Sequence, residues 1–513
     1  MKFRFNSKTI KKILAAGVFP AVLLGCVDLE ESPRSFVSSD QFFKNEADAI
    51  AGVNSIYFRL NASGQTPYLV LFSTGMDMMS DDVQPGPGAT NADVRSQAVL
   101  SHSSTGQRVR EIWQQHYDAI NRANIAIEKI PGIVKIDEKL RARLVLEAKF
   151  LRALYYFNLV RLYGDVPLVL QETTGLTPED LYVERAPAEQ VYQQIIKDLT
   201  DAEGLPNERF SNAAAKYAAG DAGRATGGAA KSLLAKVYLT RYDYANAIAK
   251  SNEVITGPFG YALFADYSQV FLPAYKNGVE HIFSAQFEAN ADSHGNNQAQ
   301  REAPTGIPGL NGNFAEQPMP GIYQLYSAKD KRRDVSFITS IVSPSNGRTY
   351  QLTVKNPATG ENVPNPHFNK WWDPAQAGNL AQSAANVSIL RFSDVLLIHA
   401  EAVNEQDGPT SAAYASYNKV RKRAGLGDLT PGLTQAQFRD SLRIDRRLEF
   451  VFEYSRWFDL IRYKPLTGSD SYLIKSLHAV GKTNAAQKHY LYPIPQQEID
   501  NNPKLRGHQN PGW

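Results

Sequence analysis

Between Asp137 and Gly164, apolar side chains recur at Leu140, Leu144, Ala148, Leu151, Tyr155, Leu159 and Leu162. Steps of three and four put them on one stripe of an α-helix, whereas a strand would need alternation. Asp137 can cap the start of this helix. Gly164 can take left-handed backbone at its end, and Pro167 blocks continuation. Asn45 before Glu46 and Asp48 opens another helix, running to about residue 60. Pro187 starts one that ends near Gly204 and Pro206. Residues 229–241 and 245–255 form a helical hairpin about Tyr242-Asp243-Tyr244. Alanines at 235, 245, 247 and 249 allow close approach, as in a degenerate tetratricopeptide unit. Helices return at 393–405 and at 411–424, where Gly425 follows. Thr434 and Gln437 make a capping box for a long helix to about residue 463. On it, Arg446 with Glu449, Glu453 with Arg456 and Asp459 with Arg462 are spaced to pair along one face.

Two stretches lose this period. In 61–105, Gly64, Pro67, Pro85, Gly86, Pro87 and Gly88 break any helix, and an irregular stretch of that length suggests a functional loop. In 257–388 prolines and glycines punctuate the chain, with short strands expected about 336–343 and 349–355. The expected fold is mostly α: helices from both ends of one domain, residues 45–513, frame two irregular, loop-rich insertions, 61–105 and 257–388, with few short strands. Its N-terminal part is about 45–256 and its C-terminal part about 257–513.

The first residues have another purpose. Lys2, Arg4, Lys8, Lys11 and Lys12 precede an apolar run, residues 13–24, too short to be a stable membrane span. The run ends Leu23-Leu24-Gly25-Cys26, which resembles a bacterial lipobox. Residues 1–25 therefore read as a signal peptide, Cys26 as the lipidated first residue, and 26–44 as a tether. Cys26 is the sole cysteine, so the mature chain has no disulfide to stabilise it outside the cytoplasm. The acidic Asp28, Glu30 and Glu31 resemble the surface-export signal of Bacteroidetes lipoproteins. With net charge +3 and no basic block in the mature part, nucleic acid is a poor partner.

Ordered stretches along the mature chain look like the SusD/RagB family. They include Trp113, Tyr117 and Ile120-Asn121-Arg122-Ala123-Asn124, then residues 147–157 running into Leu162-Tyr163-Gly164-Asp165-Val166-Pro167. Later come residues 389–398, Arg446-Arg447-Leu448-Glu449-Phe450, Phe458-Asp459-Leu460-Ile461-Arg462 and the closing Asn510-Pro511-Gly512-Trp513. The resemblance implies tetratricopeptide-type helix pairs packed against an irregular binding part, with residues 257–388 the most variable. It implies a non-catalytic glycan-binding lipoprotein on the outer surface of the outer membrane. Its partner would be a TonB-dependent barrel of SusC type, on which it sits like a lid.

A neutral sugar is gripped by aromatic rings on its apolar faces and by amides, carboxylates and arginines on its hydroxyls. Trp113, at the start of a helix after the first insertion, is the leading candidate, and the resemblance implies that an aromatic here can be a sugar platform. It fits equally a packing face with Tyr117 and Ile120. His116 on the adjoining turn could reach a hydroxyl. Asp77, Asp81, Asp82 and Arg95 offer polar groups in the first insertion, or are solvated loop charges. Calcium is a weaker alternative, because Asp81-Asp82-Val83-Gln84 lacks alternating oxygen ligands. In the second insertion the candidates are Asn296, Arg301, Phe314 and Tyr323, with Trp372, since Trp371 and Trp372 cannot both face one core. Arg391 is a further candidate, although a structural ion pair suits it better.

No cofactor or metal is expected. HExxH, G-x-S-x-G and a cysteine nucleophile are missing. Gly223 and Gly228 stand at P-loop spacing, but Ala229-Ala230 follow where Lys-Ser/Thr is required. Two alternatives stay open: a surface glycoside hydrolase, whose carboxylates would meet only in space, and a helical-repeat lipoprotein that holds another protein.

Overall fold

In a computed structural model, the residues described are 39–62, 66–175, 177–207, 219–290, 294–464 and 471–513. The signal segment, Cys26 and the tether up to residue 38 lie outside them.

The expected caps form. In α1 (Glu46–Asn61), Asn45 accepts from the Asp48 amide at 3.2 Å and Asp48 from the Asn45 amide at 3.1 Å. Helices α2 (Gln107–Lys129) and α3 (Glu138–Tyr163) follow, with Asp137 accepting from the Lys139 and Leu140 amides. Gly164 ends α3 at φ +70°. Then come α4 (Ala188–Ala202), α5 (Gly227–Thr240), α6 (Tyr244–Thr256), α7 (Phe392–Asp407), α8 (Ser411–Arg423) and α9 (Gln435–Glu449). Neighbours in this order pack on each other from α1 through α8, and α9 packs on α7. The single stripe read on α3 widens: from Phe150 to Val160 every side chain is buried, because α2 and α4 flank the helix.

The second insertion is tied to this frame by a strand. Val387–Arg391 pairs antiparallel with His281–Ala285, and Arg391 lies opposite His281. Two hairpins project beyond it: Ser340–Val342 with Thr349–Gln351, and Thr353–Lys355 with Asn362–Pro364.

Residues 66–83 of the first insertion are not a surface loop. Pro67–Met76 is a π-helix and Asp77–Met79 a 3-10 turn. Its run of Leu71, Phe72, Met76, Met78 and Met79 is buried in the main core. Apolar side chains there outweigh the glycine and proline breakers, so the chain packs inward. Asp77, Asp81 and Asp82 go in with it. Asp81 accepts from Arg456 at 2.7 and 2.8 Å, and Asp82 pairs with Arg447 at 2.6 Å. Asp77 accepts from the Tyr454 amide at 3.2 Å, and burial raises its carboxyl well above the ordinary range. Lys482 donates to the Met78, Ser80 and Val83 carbonyls, which clamps the segment. These aspartates are structural, closed to a saccharide.

The expected long C-terminal helix breaks. α9 ends at Glu449, and α10 (Arg456–Arg462) begins after a turn in which Phe452 and Tyr454 both take φ +59°. α11 (Tyr472–Ala479) follows. The charges explain the break. Of the three expected pairs only Asp459 with Arg462 forms, at 3.0 Å. Glu449 instead meets Arg391 at 2.6 Å, Arg332 at 3.4 Å, and Arg423. Glu453 meets Arg391 at 2.9 Å and Lys370 at 2.7 Å. Arg446 meets Asp394 and Asp459. One straight helix could not aim Glu449 and Glu453 at Arg391 while turning Arg456 toward Asp81. Arg391 is thus held wholly by the interior and is no ligand contact.

His116 is likewise interior. Its Nδ1 donates to the Ile112 carbonyl at 2.6 Å, and its ring stacks on Phe72 with centroids 5.8 Å apart. It cannot reach a sugar hydroxyl.

Two outcomes follow from this interior. Arg391→Met would leave Glu280, Glu449 and Glu453 short of their cation, and should cost about 3–5 kcal/mol of stability by urea unfolding. Exposed Arg95→Met should change little, and equal effects would refute the network's role. Burial holds His116 at about 4, against 6.5 for a free imidazole. As pH falls from about 6.5 to 4 the unfolded chain takes this proton first, so His116's contribution is whole above that window and lost through it. His116→Gln should therefore lose less melting temperature than the parent chain between pH 7 and 5. Parallel curves would contradict a buried neutral His116.

Candidate functional site

A groove of about 600 Å³ opens where the start of α2 meets the C-terminal segment. Trp113 forms its floor, and Tyr117, Leu181, Tyr182 and Val183 form its walls. Glu498, Asn501 and Asn502 stand opposite. The size and mixture suit a small-molecule cleft, mainly apolar with a few convergent polar groups.

Each part is held by its own segment. Trp113 is only 4% exposed. It meets Tyr163 edge-on at 88° and lies 5.0 Å from Tyr117, contacts that fix the ring and leave little of it to the groove. Tyr117, one turn along α2, donates its hydroxyl to the Pro167 carbonyl at 2.7 Å, which fixes the ring. Burial raises that hydroxyl well above the ordinary range and keeps it protonated. Tyr182 leaves the short helix Pro178–Leu181 with a half-buried ring. The Asn502 amide donates to the Val183 carbonyl at 2.8 Å and joins the two walls. Gln114 donates to Glu498 at 3.1 Å and orients its carboxylate, while the Asn501 side chain faces solvent.

Rings backed by fixed partners can take the apolar face of a sugar, and Glu498 and Asn501 can bond its hydroxyls. Among the described residues no group of His, Cys, Asp or Glu is arranged to hold a metal ion.

Of the sequence candidates only Trp113 lines this groove. His116, Asp77, Asp81, Asp82 and Arg391 are interior, as described above. Asn296 pairs with Ser383 and donates to the Ala385 carbonyl at 2.8 Å. Arg301 is buried against Glu316 at 3.1 Å and the Leu69 carbonyl at 3.0 Å. Phe314 is buried and stacked on His367 at 3.8 Å. These three join the insertion to the core and offer nothing to a ligand. Arg95 is exposed and donates to the Ala89 carbonyl at 2.6 Å. Tyr323 is half-buried with Arg333 over its ring at 5.3 Å. Trp371 is core, and Trp372 is half-buried beside Ile307, Ile341 and Leu352. Arg95, Tyr323 and Trp372 thus reach the surface away from the groove. Sequence reasoning missed Gln114, Tyr182, Glu498 and Asn501 as site residues, because segments far apart in the chain bring them together. It took Tyr117 only as a packing partner.

Comparison with known proteins agrees with this architecture. Residues 279–513 match the SusD family, and residues 29–239 match a family described as starch-binding associating with outer membrane. SusD-like protein P2 of Formosa agariphila is 31% identical, over 96% of this chain and 97% of its own length. A SusD superfamily protein from Parabacteroides distasonis has a solved structure at TM-score 0.75 and 27% identity, covering 91% of this chain and 99% of that one. A solved laminarin-binding SusD-like protein gives TM-score 0.73 at 26% identity, covering 92% of this chain and 100% of that one. The sequence motifs, the ordered helices and these likenesses agree, and the chain belongs to the SusD/RagB family.

Proposed function

We propose that this chain is a non-catalytic, lipid-anchored protein on the outer face of the outer membrane, which binds an oligosaccharide and passes it to a TonB-dependent barrel of SusC type. The observation that carries the reading is the groove, where braced aromatic rings face an oriented carboxylate and an exposed amide. The outer-membrane starch-binding description matched by residues 29–239, and the laminarin binding of one solved relative, support a saccharide as the ligand. Cys26, after its basic and apolar leader, supports lipid as the anchor. Among the described residues no helix is long and apolar enough to cross a membrane.

The chemistry of the groove favours binding over hydrolysis. Glycoside cleavage by retention or inversion uses two carboxyl groups across the scissile bond. Among the described residues Glu498 is the single carboxylate lining this groove.

Calorimetry of the purified chain against a panel of neutral oligosaccharides tests the reading. At least one should bind, and Tyr182→Ala should weaken it about tenfold, near 1.4 kcal/mol. The sugar should be recovered intact by chromatography. Shortened products would establish a hydrolase, and an affinity unmoved by Tyr182→Ala would remove the groove from the account.

A further inference from the structure

The row of helices carries a second groove, about 650 Å³, far in sequence from the first. It is lined by Tyr242 and Tyr244, at the turn between α5 and α6, by Arg443 of α9, and by Tyr463 and Lys464 after α10.

Most charges lining it are neutralised by each other. Glu401 holds Arg462 at 2.6 and 2.8 Å, and Glu405 holds Arg439 at 2.5 and 2.7 Å. Arg443 stands apart. Among the described residues no carboxylate pairs with it, and its Nε is buried with no acceptor. Its guanidinium lies 4.2 Å from the Tyr463 ring centre and 5.0 Å from that of Tyr472, two rings that meet edge-on at 80°. Tyr463 is itself 1% exposed, and among the described residues its hydroxyl has no partner, so its ring serves to brace Arg443. Lys464 sits 3.8 Å above the Tyr242 ring. Among the described residues one carboxylate of the lining, the exposed Asp440, has no ion pair, against the two cations Arg443 and Lys464.

This is the arrangement an oxyanion requires. A guanidinium packed beside aromatic rings, with no carboxylate of its own, keeps N–H donors for a bidentate acceptor. The rings keep water from the pair and strengthen it. A buried donor without an acceptor is destabilising until one arrives. Tyr244, half-buried, adds an apolar surface on which a sugar ring can rest.

We propose that this groove binds an acidic sugar, a hexuronate unit of an oligosaccharide. Its carboxylate takes the Arg443 guanidinium, Lys464 flanks it, and the sugar ring lies against Tyr244. The site is separate from the Trp113 groove, so either can fail without the other.

Calorimetry of the full-length chain in detergent distinguishes the sources of the anion. The probes are uronate trimers (galacturonate and glucuronate), the neutral galactose and glucose trimers, and inorganic sulfate. A uronate trimer should bind. Arg443→Gln should weaken it at least tenfold and Lys464→Gln several-fold, with neutral-sugar binding unmoved by either. Lys464 is exposed, so its variant keeps the fold and decides the matter should Arg443→Gln misfold. The proposal is overturned if neither uronate binds, if both variants bind uronate like the parent, or if neutral trimers suffer the same loss. It is also overturned if sulfate binds and the uronates do not.

Discussion

The meeting of Arg391 with Glu280, Glu449 and Glu453 governs the rest of this structure. Charges removed from water are tolerated only when their partners are held in good geometry. Here the partners come from every part of the C-terminal half. Arg391 ends the strand that leaves the second insertion, and Glu280 precedes that strand's partner inside the insertion. Arg332 and Lys370 lie within the insertion, Arg423 closes α8, and Glu449 closes α9. Each pair therefore fixes a segment against the helical frame. A chain with a single cysteine, Cys26, can form no internal disulfide, so packing and such pairs must do what disulfides do elsewhere. The turn at 450–455, with left-handed backbone at Phe452 and Tyr454, is the local consequence.

The sequence made some of this legible and hid the rest for physical reasons. Caps are local, so Asn45, Asp137 and Thr434 announced their helices, and Gly164 and Gly425 announced two ends. Long-range pairing is not local. Spacing of three along α9 and α10 suggested pairs within one face, yet Arg446 reaches Asp394 and Arg456 reaches Asp81. Residues 61–105 misled because glycine and proline were weighed above the apolar run from Tyr68 to Met79, which is long enough to enter the core. Asp77, Asp81 and Asp82 were therefore read as loop charges when they are buried.

The binding part was harder still. Trp113 was visible as an aromatic at a helix start, but its neighbours Tyr182 and Glu498 lie far along the chain. An aromatic cluster assembled in space has no signature in spacing. The family resemblance supplied what periodicity could not, an expectation of saccharide binding. Both grooves lie on that frame, at the start of α2 and between α5 and α9, and not on the projecting hairpins of the second insertion. Rigid helices present rings and polar groups with less freedom than loops do, which limits the entropy lost when a sugar is held.

The central claim is that an oligosaccharide seats beside Trp113, between Tyr182 and Glu498. Hydrogen exchange followed by mass spectrometry, on the whole chain with and without a saturating oligosaccharide, tests it most directly. Protection gathered in residues 178–185 and 496–505 is the expected result. Protection confined to the hairpins at 340–364, with those two segments unchanged, would contradict it.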